Sequence, residues 1–180
     1  NRAGRAWMMR RLLTATALLC TLAGSAAAQP STFRDSLLDR LAGTWVLQGQ
    51  IAGKATTHDV VSEWVLGHQY LQLHELSREK DAAGQARYEA VVFIGWDQPS
   101  GQYSCLWLDS TGGGGLSAQA IGRAERSGQD IPFVFKEPDD TISFHNTFSY
   151  DRATDSWAWL MDNTKNGKPV PFGRVRLTRK

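Results

Sequence analysis

The sequence predicts an all-β domain of about ten short antiparallel strands, closed into a barrel or paired as a sandwich, with a short helix at its N-terminal edge. Three observations carry this. The first is the stretch Tyr88 to Ser110, in which two β-branched and aromatic runs flank Gln98-Pro99-Ser100-Gly101, with proline at the second turn position and glycine at the fourth. Pairing Trp96 with Tyr103 sets Ile94 against Cys105, Val92 against Trp107 and Ala90 against Asp109 on one face, and Phe93 against Leu106 and Val91 against Leu108 on the other. Both faces are apolar. One therefore lines an interior, and the other is covered by a helix, a second sheet or a partner, which makes a homodimer through Val91, Phe93, Leu106 and Leu108 one reading. The second observation is the regular spacing of further short runs and turns along the chain. The third is an internal echo, in which W-D-Q-P-S-G-Q-Y (Trp96 to Tyr103) and Y-D-R-A-T-D-S-W (Tyr150 to Trp157) share one pattern of aromatic, Asp and small polar residues.

The chain begins at Asn1, and its natural start is expected at Met8 or Met9. Arg10 and Arg11 then form a positive region and Leu12 to Ala23 a short apolar one, followed by Ser25-Ala26-Ala27-Ala28, which reads as a secretory signal cut after Ala28. The apolar run is too short to span a bilayer, so the expectation is a periplasmic or secreted protein with no membrane span. The mature chain, 29–180, suits a single domain. The whole sequence carries 20 basic and 18 acidic residues; losing Arg2, Arg5, Arg10 and Arg11 leaves 16 against 18, a net charge of −2. That balance gives no nucleic-acid footprint. Cys105 is the one cysteine after the leader, so no intrachain disulfide forms, and stability must come from a core to which six of the seven Trp and all seven Phe remain available.

Ser31 to Leu41 places Phe33, Leu37, Leu38 and Leu41 at helical spacing, with a serine to cap it and Gly43 just beyond, and reads as the short helix. A first strand follows from Gly43 to Gln50. His58 to Leu66 and Gln69 to Leu76 form a hairpin about the two-residue turn Gly67-His68, with Trp64, Leu71 and Leu73 on one face and Glu63, Gln72 and His74 on the other. After the central hairpin come the glycines 112–115, expected as a mobile loop over a barrel mouth, and a strand around Leu116 to Ile121. Ile131 to Phe135 and Thr141 to Tyr150 pair about a Glu137-Pro138-Asp139-Asp140 turn, and Trp157 to Met161 and Val170 to Thr178 complete the set. Pairing Tyr150 with Trp157 sets Phe148 against Trp159, Asn146 against Met161 and His145 against Asp162.

L-A-G-T-W near the mature N-terminus resembles the Gly-x-Trp opening of lipocalin-like (calycin) barrels. With S-E-W-V-L-G-H-Q-Y-L-Q-L, F-I-G-W-D-Q-P-S-G-Q-Y and W-L-D-S-T-G, the chain from Leu41 to Leu177 is similar to a bacterial family of mostly secreted domains of unknown function that share that barrel. The resemblance implies an antiparallel up-and-down lipocalin-like barrel. It also implies that Trp45 plugs one end beneath a basic residue of the last strand, Arg174 or Arg176.

No motif assigns chemistry. There is no nucleophile elbow, and Gly112 to Gly115 lack the following Lys-Ser/Thr of a phosphate loop. His58, His68, His74 and His145 show no metal-ligand spacing, so neither a metal nor a cofactor is expected; His74 and His145 remain candidate haem ligands. The leading reading is a binding protein whose interior, through Trp96, Trp107, Phe148 and Trp159, holds a small apolar or amphipathic ligand oriented by Asp109 and Asn146. The alternatives are an enzyme using Asp109 or the His145 and Asp162 pair, and the dimerising module.

Overall fold

A computed structural model describes residues 33–112 and 115–180. Ten antiparallel strands follow one another around a closed barrel: β1 (Gly43–Ile51), β2 (Lys54–Val65), β3 (Tyr70–Ser77), β4 (Glu89–Asp97), β5 (Gln102–Asp109), β6 (Ile121–Ala124), β7 (Asp130–Lys136), β8 (Ile142–Asp151), β9 (Ser156–Lys165) and β10 (Lys168–Arg179). Each strand pairs with its sequence neighbours, and β10 returns to β1, so no edge is left open. The expected leader and its cut after Ala28 lie outside the described residues, as do Gly113 and Gly114. No helix among the described residues is long and apolar enough to cross a membrane.

Alternation decides what the barrel contains. In β1 the buried residues are Trp45 and Leu47, in β3 Leu71, Leu73, Glu75 and Ser77, each set one face of a period-two strand, and in β4 Ala90, Val92 and Ile94 do the same, with Gly95 buried beside them under the Tyr70 ring. The central hairpin has the register its turn dictates, Trp96 to Tyr103 through Ala90 to Asp109, and the third pairs Phe148 with Trp159 and His145 with Asp162. Their two loops are alike in detail. Gly101 and Asp155 both turn left-handed, at φ 66° and 45°, and Ser100 and Thr154 each donate a 2.7 Å hydrogen bond to the aspartate that opens the loop, Asp97 or Asp151. On the outer face, Val91, Phe93, Leu106 and Leu108 are half-buried.

The seam between β1 and β10 needs a glycine. At Gly49, with φ 153°, a Cβ would lie 2.2 Å from the Arg174 carbonyl oxygen, a contact that no side chain tolerates.

One end of the barrel is sealed by α1 (Leu38–Leu41), which is shorter than the sequence spacing predicts. Its cap is Asp35, whose Oδ1 accepts from the Leu37 and Leu38 amides at 2.8 and 2.9 Å; Ser31 lies outside the described residues. Leu37, Leu38 and Leu41 enter the barrel, and the helix's last carbonyls find side-chain donors: the Trp45 indole bonds Leu41 O at 2.8 Å, and Arg179 reaches Arg40 O and Ala42 O, both at 3.1 Å. Arg179 also lies over the Trp45 ring, 4.1 Å from its centroid. The basic residue over Trp45 is therefore Arg179, not Arg174 or Arg176, because the register sets Trp45 opposite Arg179 while Arg174 pairs with Gln50 near the other end.

Two further elements differ from expectation. The first hairpin closes through a four-residue loop, with Leu66 as well as Gly67 and His68 at positive φ. The segment near Leu116 is not a strand: a 3₁₀ turn, Ala118–Ala120, built of small and polar residues with low strand propensity, leads into the short β6 (Ile121–Ala124). Cys105 is fully buried in β5, and burial pushes its thiol pKa up.

If Arg179 caps the helix and covers Trp45 together, Arg179→Ala should lower unfolding free energy by about 1 to 3 kcal/mol. The exposed change Arg152→Ala should stay within about 0.5 kcal/mol. Urea titrations of both variants measure the difference, and equal midpoints would remove the capping role.

Candidate functional site

The filled end lies around α1, Trp45, Trp157 and Leu177; the free space lies at the other end, bounded by the β1–β2, β3–β4, β5–β6, β7–β8 and β9–β10 connections. A cavity of about 600 Å³ opens there. Its floor is aromatic. Trp107 and Trp159 meet edge to face at 6.2 Å, and beneath Trp159 the fully buried Phe148 (4.7 Å) and Phe133 (5.7 Å from Phe148) close the interior.

The wall is divided by chemistry. From β7 through β10 it is mainly apolar, with Phe135, Phe144, Trp159, Met161 and Phe172, and Ser143 as the polar side chain among them below the rim. From β2 through β5 the polar groups gather, with Thr56, His58, Glu75, Tyr88 and Asp109 beside the aromatic ring of Trp107. Because the strand order runs unbroken around the barrel, these two groups face each other across the cavity.

On the polar side, Glu75 Oε1 meets His58 Nδ1 in a buried pair, and His58 Nε2 lies 2.8 Å from the Thr56 hydroxyl. A carboxylate accepts from Nδ1–H, and the Thr56 hydroxyl can donate to or accept from Nε2, so both ring nitrogens of His58 have a partner. His58 stacks on Tyr88 at 5.6 Å. The Tyr88 oxygen accepts from the Trp107 indole at 3.2 Å, and its hydroxyl donates to Asp109. Burial, then the charges of Glu75 and Asp109, push the Tyr88 pKa well above the ordinary phenol value, so it stays a neutral donor. Asp109 Oδ1 also accepts from the Thr111 amide at 2.8 Å and from the Thr111 hydroxyl. The result is a chain of positioned donors and acceptors along one wall. Carboxylate, imidazole and hydroxyl in that order can take and return a proton.

Of the residues singled out from the sequence, Trp107, Asp109 and Trp159 line the cavity. Three do not. Trp96 is at the sealed end, where it packs against Phe33 and Tyr103 and donates to Gln98, because the alternation that aims it inward does not say which end is full. Phe148 lies under Trp159, out of reach of the cavity. Asn146 is buried between β7 and β9 beside Phe133 and Met161, and its amide has no hydrogen-bond partner among the described residues; the Trp159 indole N–H, diagonal to it, has none either.

His145 and Asp162 do face each other across β8 and β9, but on the outer surface, where Asp162 receives Arg174. His74 bonds Glu89 at 2.7 Å on that surface too, so neither candidate haem ligand enters the barrel. Among the described residues no group of three or more His, Cys, Asp or Glu is arranged to hold a metal. His58 and Glu75 were not singled out. The signal was present: stepping by two from Trp64 reaches Ser62, Val60 and His58, and stepping from Leu71 and Leu73 reaches Glu75, all on the inward face. Comparison with known proteins finds no matching family model and no matching curated protein.

The floor should be structural as well as chemical. Phe148→Ala or Trp159→Ala should each cost about 3 to 5 kcal/mol in chemical denaturation, as buried aromatics do. A loss under about 0.5 kcal/mol at both would place the floor elsewhere.

Proposed function

We propose that this is an exported, lipocalin-like binding protein whose barrel holds one small amphipathic molecule. Its apolar body lies against Phe135, Phe144, Trp159 and Phe172, and its polar group meets His58, Thr56, Tyr88 and Asp109. The observation that carries the reading is the division of the cavity wall, since a filler core would be apolar all round and a solvent channel polar all round. A space of about 600 Å³ is in the range of small-ligand sites, which are mostly apolar with a few placed polar groups. The leader-like segment and the resemblance to secreted domains support export.

The test is a fluorescence titration with medium-chain amphiphiles. Entry of a ligand beside Trp107 and Trp159 should change tryptophan emission saturably. Trp107→Ala should weaken binding by about tenfold or more, and Arg152→Ala should leave it unchanged. Emission and melting temperature that stay constant across the series would refute the reading.

The Thr56, His58 and Glu75 relay favours a second reading, acid–base chemistry on the bound molecule. If it turns over esters with water, His58→Ala should abolish hydrolysis of a chromogenic medium-chain ester, a loss far larger than the weaker binding of the matching alcohol that removing one polar contact brings. A rate no higher than buffer in the parent protein would dismiss this reading alone.

A further inference from the structure

We infer that the cavity selects a cationic head group, so that its ligand is a protonated amine or quaternary ammonium on an apolar body. This rests on the reading of the cavity as an amphiphile site and adds the sign of the head group.

The charges that line the cavity fall into two tiers. Lys54, Glu79, Arg87 and Glu137 are exposed at the rim, where opposite signs balance. Deeper down lie Glu75, which is 2% exposed, and the half-buried Asp109, with His58 as the basic side chain on that wall. Even a doubly protonated His58 offsets one carboxylate and leaves the other. Asp109 is held by neutral donors, the Thr111 amide and hydroxyl and the Tyr88 phenol, none of which cancels its charge.

Tyr88 lies beside both carboxylates, and burial first, then their charges, favour its neutral form, in line with a wall where a further negative charge meets two carboxylates already in place. An anionic head would lose its water and meet like charge in a place of low polarisability, where repulsion is strong. A cationic head meets the opposite. It gains the Asp109 and Glu75 charges together with the ring faces of Trp107, Tyr88 and Trp159, and aromatic rings bind ammonium groups through their negative faces.

The experiment compares four probes sharing one chain length: decyltrimethylammonium, decylamine, decanol and decanoate, each below its aggregation concentration. Binding to the full chain is followed by calorimetry and tryptophan emission. The two cations should bind about tenfold or more tighter than decanol, and decanoate should bind weakest. In Asp109→Asn combined with Glu75→Gln, the cations should fall to the affinity of decanol. Circular dichroism and the melting temperature report whether the variant is folded, and the comparison of decyltrimethylammonium with decanol on the parent protein stands even if the variant does not fold. Decanol or decanoate binding as tightly as the cations would overturn the charge selection and leave the amphiphile site intact. No binding by any of the four would overturn both.

Discussion

Closure of the sheet governs everything else in this molecule. Because β10 pairs back onto β1, each strand must deliver alternate side chains to one shared interior, and no edge is available to relieve a misfit. The seam itself allows little tolerance, since Gly49 lies where a Cβ would strike the opposing backbone. The interior is then filled from one end. The short helix brings Leu37, Leu38 and Leu41 onto Trp45, and its last carbonyls accept from indole and guanidinium donors. Among the described residues the cavity lies at the end opposite this plug, and it is therefore tied to how the sealed end is built.

Much of this is legible in the residues, because period-two alternation is a local property. Pro99 and Gly101 fix one turn, and from it the partners of six residue pairs follow without tertiary information. The same holds for Tyr150 and Trp157. What alternation does not reveal is depth along the barrel. Trp96 and Trp107 share a face of one hairpin, yet Trp96 belongs to the sealed end and Trp107 to the mouth, because the plug comes from a helix distant in sequence. Arg179 shows the same limit: three arginines near the chain's end offer similar chemistry, and only the β1–β10 register chooses among them. His58 and Glu75 were hidden differently. Polar residues on an inward face look like the point where a strand has left the core, and only the full barrel shows that they meet each other.

That meeting has a cost. A buried histidine and carboxylate gain their mutual attraction only after losing water, and such pairs are seldom more stabilising than apolar side chains of the same volume. The wall beside them is already aromatic, so further hydrophobic residues would fit the location. The polar side of the cavity is thus not explained by stability alone.

Cys105 points into the same interior, below the cavity and wholly shielded, with its thiol kept protonated by its surroundings. In a chain without residues 1–28 it is the sole sulfhydryl, and a maleimide can reach it only when the wall around β5 comes apart. The alkylation rate then serves as a clock for breathing of the closed sheet, read without any added label. An occupant of the mouth that favours the closed form would slow that clock in proportion to its occupancy, which turns a buried sulfur atom into a gauge of events several residues away.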